Sequence, residues 1–225
     1  MSTDSIINVN GDSIQALDVT LLLVVITLLP TLMVMMTSFT KFVVSLSFLR
    51  TAMGTQQTPP NSVLVGMALV LTLFAMTPTL GLIKDAAYDP YVAGQITQEE
   101  FFDEVQLPLK QFMLRNTEPG SLQLYCNMAG EPVPTTSEEL DQAVDLPLLV
   151  IIPAFVTSEL KAAFWIGFLV YIPFMLIDVI VSSTLMSMGM IMLPPSMIST
   201  PFKILLFILL DGWSLLFSTL IQTVK

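Results

Sequence analysis

The sequence predicts an all-α membrane protein of kinked helical hairpins, with a small helical domain inserted between them on the extracytoplasmic side. Three observations carry this prediction. Hydrophobic residues make up 54% of the 225 residues and charged residues 12%, whereas soluble domains carry about 25% charged residues. The mean hydropathy is +0.79. A membrane helix needs roughly 20 apolar residues, and several uncharged windows approach or exceed that length, so about four such helices are expected. The windows are residues 19–40, 51–83, 162–177, 204–210 and 212–224, of which the last two are separated only by Asp211.

The first 83 residues divide into a polar N-terminal tail, residues 1–18, and a first apolar helical hairpin, residues 19–83. Pro30 and Pro78 lie within the two apolar segments, where proline removes a backbone hydrogen bond, so both helices are expected to bend. The tail carries no basic region of the kind that opens a signal peptide. Either a leader is removed or this short tail is translocated unaided.

The connection between the first two apolar segments sets the expected orientation. It contains Lys41, Arg50 and Pro59-Pro60 but no acidic residue. Because basic residues accumulate in cytoplasmic loops, this connection is expected to face the cytoplasm. Residues 84–145 and both termini then lie on the opposite side.

Residues 84–145 form an acidic extracytoplasmic segment with 12 acidic and three basic side chains. Thr97 to Glu100 matches a capping box, and apolar residues follow at near-helical spacing, so a helix is expected there that Pro108 interrupts. A second helix start is expected over residues 136–139. No basic patch occurs in the sequence, which argues against binding of nucleic acid or of anionic lipid.

Residues 146–225 form a second apolar helical region that contains five charged residues in or beside apolar sequence: Glu159, Lys161, Asp178, Lys203 and Asp211. Each charge at the centre of a membrane helix costs about 2.5–3.5 kcal/mol on insertion scales, so each requires a partner or water. Ion pairing between helices or subunits is the favoured interpretation. A proton relay is the alternative.

Methionines occupy alternate positions near the middle of this region, at Met186, Met188, Met190 and Met192. A helical stripe repeats every three or four residues, so the period of two favours an extended or irregular loop. Gly189 would supply a bend and Pro194-Pro195 would end the element. Composition alone favours the other interpretation, a methionine-rich helix surface that packs against protein.

Several classes of protein are excluded or disfavoured by residues that are missing. The chain has no histidine, which excludes a Ser/His/Asp triad and the usual zinc ligand sets. Its one cysteine, Cys126, cannot form an internal disulfide and is expected to be a packing residue. No phosphate-binding lysine loop, dinucleotide fingerprint or CxxC pair occurs. We therefore expect no enzyme activity, no catalytic residues, no cofactor and no metal site.

Two long motifs resemble the signatures of the FliP family. The first covers residues 153–168 and the second residues 173–190, and shorter matches occur at 37–41, 59–61, 108–115, 201–203 and 211–213. The sequence departs from the family pattern at Trp165, where a charged or amide residue is usual, and in having no typical N-terminal leader. The resemblance covers nearly everything after residue 20.

The resemblance implies a core channel-forming subunit of the bacterial flagellar type III protein-export gate, located in the inner membrane at the flagellar basal body. Such subunits form a ring of five that joins FliQ-like and FliR-like subunits and other export-gate proteins, and unfolded flagellar proteins pass through it. Much of the apolar surface then faces neighbouring subunits instead of lipid.

The resemblance also implies that Met190, Ile191 and Met192, with Met188 beside them, form a gasket that closes the resting channel. Ile191 stands where another methionine is frequent, and its β-branched side chain is stiffer. Two alternative functions are kept. One is the export gate of a virulence type III injectisome, and the other is a proton-coupled small-solute transporter that uses Glu159, Asp178 and Asp211.

Overall fold

The computed structural model describes residues 6–9, 12–55, 57–134, 143–190 and 192–225. Two short strands, β1 (Ile6–Val9) and β2 (Asp12–Gln15), form an antiparallel pair with Ile6 opposite Gln15. The rest is helical: α1 (Ala16–Met35), α2 (Phe39–Met53), α3 (Asn61–Ile83), a π-helical turn (Lys84–Tyr88), α4 (Asp89–Val92), α5 (Gln98–Arg115), α6 (Pro119–Ala129), a 3-10 turn (Ala143–Asp145), α7 (Leu148–Ser187), α8 (Pro195–Leu209) and α9 (Gly212–Gln222).

The all-α prediction is confirmed, with the small strand pair as an addition in what was expected to be only a polar tail. The expected capping box is also confirmed. The Thr97 hydroxyl accepts a hydrogen bond from the Glu100 amide, and the Glu100 carboxylate accepts one from the Thr97 amide at 2.7 Å. The second helix start, expected over residues 136–139, lies outside the described residues.

The prediction that Pro108 interrupts its helix is wrong, because α5 runs from Gln98 through Pro108 to Arg115. Proline in a helix interior costs about 3 kcal/mol or more through the lost hydrogen bond and a steric clash. Pro108 is buried, and the turn after it buries Phe112, Met113 and Leu114. We attribute the continuity of the helix to this packing.

Two helical segments within the described residues are long and apolar enough to cross a membrane, Asn61–Val92 and Leu148–Ser187. A third span is reached if α8 and α9, which meet at 65°, are counted as one bent span. The described residues therefore provide fewer spans than the expected four. The bend lies at Asp211, which has a left-handed backbone with φ 48°.

Buried apolar residues form two separate cores. The first, here called the hairpin core, joins α2 and α3 to the second half of α7 and to α8 and α9; it includes Phe42, Leu46, Leu49, Leu64, Phe174, Phe207 and Leu220. The second, here called the acidic-segment core, joins α5 and α6 to the first turns of α7; it includes Phe112, Met113, Leu122, Cys126, Ile151, Ala154 and Phe155. The first turns of α7 therefore pack on the acidic segment, across the boundary expected near residue 145.

Helix α7 connects the two cores. Its 40 residues correspond to about 60 Å at 1.5 Å per residue, twice the roughly 30 Å of a bilayer's hydrocarbon. Only about half of the helix therefore fits within hydrocarbon. Because its first turns belong to the acidic-segment core, the part of α7 that crosses hydrocarbon is expected among the residues after 161.

Helix α2 packs closely against α7 and runs parallel to it. Lys41 contacts Glu159, and seven residues later the ring of Phe48 lies 5.1 Å from that of Phe164. A Cβ atom added to Gly167 would lie 2.5 Å from the Phe48 ring. Glycine is therefore required for the two helices to approach this closely.

Candidate functional site: a methionine loop and internal ion pairs

The methionine loop joins α7 to α8. Helix α7 ends at Ser187, and Gly189 follows in a left-handed conformation with φ 76°. The Gly189 amide donates to the Met186 carbonyl at 3.1 Å, and the Met190 amide donates to the Leu185 carbonyl at 3.0 Å. These two bonds are those of a Schellman cap, which satisfies the last carbonyls of the helix. The predicted bend at Gly189 is confirmed.

The methionines of the loop differ in exposure. Met188 is 64% exposed and Met192 98%, whereas Met190 is half-buried. Ile191 lies outside the described residues. Met186 lies in the last turn of α7, so the expectation of an extended element that included it is wrong. Pro194 is the N-cap of α8 and Pro195 its first residue, so the prolines begin the next helix as they end the loop.

Asp178 and Lys203 join the second half of α7 to α8. The Lys203 ammonium donates to Asp178 Oδ2 at 2.6 Å and to the Ala52 carbonyl at the end of α2 at 3.1 Å. The Ser199 hydroxyl donates to Asp178 Oδ1 at 2.7 Å. The Lys203 side chain is 7% exposed and that of Asp178 is 38% exposed. Three helices thus meet at one ammonium group.

Glu159 and Lys41 join α7 to α2 where the two cores meet. The Lys41 ammonium donates to Glu159 Oε1 at 2.8 Å, and each side chain is 2% exposed. Lys41 Nζ also lies 3.5 Å from the Thr223 carbonyl after α9. Glu159 Oε2 and the nearby Ser38 hydroxyl are buried without a hydrogen-bond partner among the described residues. Both side chains are thus shielded from solvent, and Glu159 Oε2 accepts no hydrogen bond within the described residues.

The other two predicted charges lie at the surface. Lys161 pairs with Glu118 at 2.8 Å, with both side chains more than half exposed, and also donates to the Ser121 hydroxyl at 3.1 Å. Asp211 is exposed at the bend between α8 and α9 and makes no capping bond there. Of the five predicted charges, the structure brings together only Asp178 and Lys203.

Sequence reasoning missed Lys41, which it placed in a cytoplasmic connection. The residue lies on helix α2, on the face that also buries Phe42, Ser45, Leu46 and Leu49. That spacing of one, four, five and eight residues is the signal that could have found it, because residues so spaced share one helix face. A lysine on such a face requires a buried acid, and Glu159 is that acid.

The described residues contain no cluster of three acidic or cysteine side chains that could hold a metal ion. The Cys126 thiol is fully buried, and burial raises its pKa above the usual range. A raised pKa keeps the thiol protonated and unreactive. The site thus consists of an exposed methionine loop held between two helices that ion pairs fix to the rest of the chain.

Comparison with known proteins gives consistent matches over this whole arrangement. The profile of the FliP family matches residues 22–220. The chain is 43% identical over 213 residues to the flagellar biosynthetic protein FliP of Aquifex aeolicus, a match that covers 95% of this chain and 87% of that protein. It is 47% identical over 203 residues to the protein of the same name from Bacillus subtilis, a match that covers 90% of this chain and 89% of that protein. It is 46% identical over 211 residues to the flagellar biosynthetic protein FliP of Pectobacterium carotovorum, a match that covers 94% of this chain and 78% of that protein. The matched region includes the methionine loop and both internal ion pairs, and this chain belongs to the FliP family.

Proposed function

We propose that this chain is a channel-forming core subunit of the bacterial flagellar type III export gate, and that its methionine loop seals the resting pore. Its family makes it a component of the flagellar export apparatus, and its apolar helices make it a membrane protein. In this role it conducts unfolded flagellar proteins across the inner membrane and catalyses no reaction.

The observation that carries the proposal is the form of the methionine loop. Its base is fixed by the Schellman cap at Gly189 and by the helix start at Pro195, while Met188 and Met192 extend into the surroundings. Methionine is flexible and polarisable, so its side chain closes an irregular gap and yields again without leaving polar groups unpaired. Several such loops around an axis would form a deformable seal of Met188, Met190, Ile191 and Met192.

The exposed apolar surface of the chain is available to neighbouring subunits, and in a membrane protein it contacts either lipid or other protein segments. Here large apolar side chains are exposed on both α3 and α8: Val70, Leu73 and Phe74 on α3, and Ile208, Leu209 and Leu210 at the end of α8. Within the proposal, further copies of the chain and FliQ-like and FliR-like subunits cover these surfaces. The copy number implied by the family resemblance is five.

The charged residues have distinct parts in this proposal. Lys41 and Glu159 hold the subunit itself together, because neither side chain reaches the surface. Asp178, which is 38% exposed, and Asp211, which is exposed at the 65° bend, are able to contact neighbouring subunits. Lys161 pairs with Glu118 at the surface, and Lys203 pairs with Asp178 from α8.

Replacement of Met190 and Met192 by alanine tests the seal. With the gate assembled from all its subunits in a planar bilayer, the Met190→Ala/Met192→Ala variant should show a raised ion conductance at rest, since the side chains that fill the gap are shortened. The matched control is Met33→Ala/Met128→Ala, which removes two other exposed methionines. A native mass of the detergent-extracted complex checks that each variant retains five copies. A conductance equal to that of the parent would contradict the proposal.

The structure gives less support to a proton-coupled transporter. Glu159 and Asp178 are 19 positions apart on one helix, about 28 Å at 1.5 Å per residue, and Glu159 is sealed against Lys41. A proton relay requires closely spaced groups or water between them. Uptake of a small solute into proteoliposomes that contain this chain alone would restore that hypothesis.

A further inference from the structure

A positively lined cavity lies where the acidic-segment core meets the middle of α7. Its volume is about 550 Å³, and Arg115, Lys161, Trp165 and Lys225 are among the residues that line it. Four basic and two acidic side chains line it, so the side chains alone carry an excess of two positive charges. The chain as a whole has a net charge of −10. The lining of this cavity therefore carries an excess of positive charge, whereas the chain as a whole is negatively charged.

The pairing of these charges shows which of them are available. Lys41 is occupied by Glu159 and Lys161 by Glu118, each at 2.8 Å. Arg115 and Lys225 are exposed, and their side chains form no ion pair within the described part of the chain. The backbone of Lys225 is held in place, because the Asn116 amide side chain bonds both its N–H and its carbonyl at 2.9 and 3.1 Å. Within the described residues, the side chains of Arg115 and Lys225 thus bring cations without an acidic partner to the cavity lining.

The cavity continues into an apolar helix face. Lys161, Trp165, Phe168 and Ile172 are spaced by four, three and four residues, so they lie on one side of α7. All four are exposed, and the rings of Trp165 and Phe168 stack at 6.2 Å. From Lys161 to Ile172 the helix rises about 16 Å, close to the roughly 15 Å of one hydrocarbon leaflet.

Tryptophan and basic residues at one level, followed by apolar residues, mark a membrane–water interface. Trp165 is exposed and supplies an amphipathic ring of the kind that sits at the headgroup level. A free inorganic anion would fill only the cavity and leave the apolar face of α7 bare. A ligand with both an anionic head and apolar chains fits the whole surface.

We infer that this surface is a binding site for an anionic phospholipid. Arg115 and Lys225 bind its phosphate, Trp165 lies at the glycerol level, and the acyl chains run along Phe168 and Ile172. Each basic residue near an anionic membrane surface strengthens binding about fivefold. This site is independent of the proposed channel and adds a requirement for membrane composition.

Quenching of Trp165 by brominated lipid tests the site on the full chain. The chain has two tryptophans, so Trp213→Phe leaves Trp165 as the reporter. In phosphatidylcholine vesicles with a fixed fraction of brominated lipid, brominated phosphatidylglycerol should quench Trp165 more strongly than brominated phosphatidylcholine. Arg115→Gln should reduce this preference about fivefold.

The matched control is Lys84→Gln, which removes one exposed positive charge outside the cavity and should leave the preference unchanged. Lys225→Gln provides a second variant if Arg115→Gln alters the helix content measured by circular dichroism. Equal quenching by the two lipids would overturn the inference, because it would mean ordinary contact with bulk lipid. Absence of quenching by both would mean that a neighbouring subunit covers this face. Loss of the preference on addition of inorganic phosphate alone would assign the cavity to a free anion instead.

Discussion

The two internal ion pairs of this chain use the same chemistry in different surroundings. The side chains of Lys41 and Glu159 are each 2% exposed, and one Glu159 oxygen has no hydrogen-bond partner in the part of the chain that the structure describes. In the second pair Lys203 is 7% exposed but Asp178 is 38% exposed, and both of its oxygens accept hydrogen bonds. Helix α7 contributes the acid in both cases.

The two pairs have similar N···O distances, 2.8 Å and 2.6 Å, but differ in the burial of the acid. Burial, more than distance, therefore distinguishes an ion pair that stabilises the subunit from one that is open to a neighbour. Removal of both charges from water at Lys41 and Glu159 costs several kcal/mol per ion, and their attraction offsets this cost only while both are present. Asp178 keeps part of its hydration, so its pairing is weaker and its carboxylate remains open to a neighbour. We expect the first pair to control folding and the second to control assembly.

The largest loss of folding stability is expected from Lys41→Met, which leaves the buried Glu159 carboxylate without its ion-pair partner. Loss of one partner of a buried pair costs about 3–5 kcal/mol, so the variant should unfold at a much lower temperature or fail to accumulate. The double variant Lys41→Met/Glu159→Leu should recover most of this stability, because apolar replacements of both members are frequently neutral. Thermal unfolding in detergent, followed by circular dichroism, measures both.

Lys203→Met serves as the reference for that experiment. It removes a lysine whose partner is partly solvated, so its effect should be clearly smaller than that of Lys41→Met. Equal losses of stability in the two variants would show that the difference in burial has no energetic consequence.

A second large loss of stability is expected at the close approach of α2 and α7. This contact lies along α7 between Glu159 and Asp178, the acids of the two ion pairs. In Gly167→Ala the new methyl group would lie 2.5 Å from the Phe48 ring, and overpacking of this kind costs about 1–3 kcal/mol. The separation of the helices should also stretch the contact between Lys41 and Glu159. Unfolding temperature is the measurement.

Gly66→Ala is the control for helix propensity, since a Cβ there meets nothing within 4 Å. The second substitution Phe48→Leu should restore part of the stability of Gly167→Ala by making room. A Gly167→Ala protein as stable as the Gly66→Ala protein would mean that the two helices move apart without cost.

Asp178→Asn should have a small effect on folding and a larger one on assembly. Hydrogen bonds to charged groups contribute about 1.5–3 kcal/mol, but solvent screening at a partly exposed carboxylate reduces this, so we expect a loss of about 1 kcal/mol. Lys203 also keeps the Ala52 carbonyl as an acceptor. Co-purification with FliQ-like and FliR-like subunits should fall more than the yield of the chain itself. Intact assembly with lost export would instead assign Asp178 to the transport step.

The comparison of the pairs also shows what the sequence could and could not predict. The capping box at Thr97 and the bend at Gly189 depend on local chemistry, and the structure has both. Pro108 was misjudged because its local cost is offset by the acidic-segment core, whose members are distant in sequence. Local rules carry no information about such packing.

The partner of Glu159 was missed for a related reason. Glu159 and Lys41 are 118 positions apart, and charge asymmetry alone placed Lys41 in an exposed connection. The helical spacing of the buried residues around it was the stronger signal. For Met188, Met190, Ile191 and Met192 the family resemblance supplied what the period of two left undecided, and their role in sealing stays a prediction.

The smallest effect is expected at a carboxylate that has no burial at all, Glu100 in the capping box of α5. Hydrogen bonds from the Thr97 amide and hydroxyl hold the pKa of Glu100 below its usual range. Because the folded pKa is the lower one, this stabilisation is complete above the usual glutamate pKa of about 4.3 and disappears as the pH falls through the folded value. Helix content of the parent and of Glu100→Gln, measured by circular dichroism between neutral and acid pH, should therefore differ slightly at neutral pH and converge in acid. A difference that persists in acid would show that Glu100 acts through contacts other than its charge, and burial would then not be the property that ranks the carboxylates of this chain.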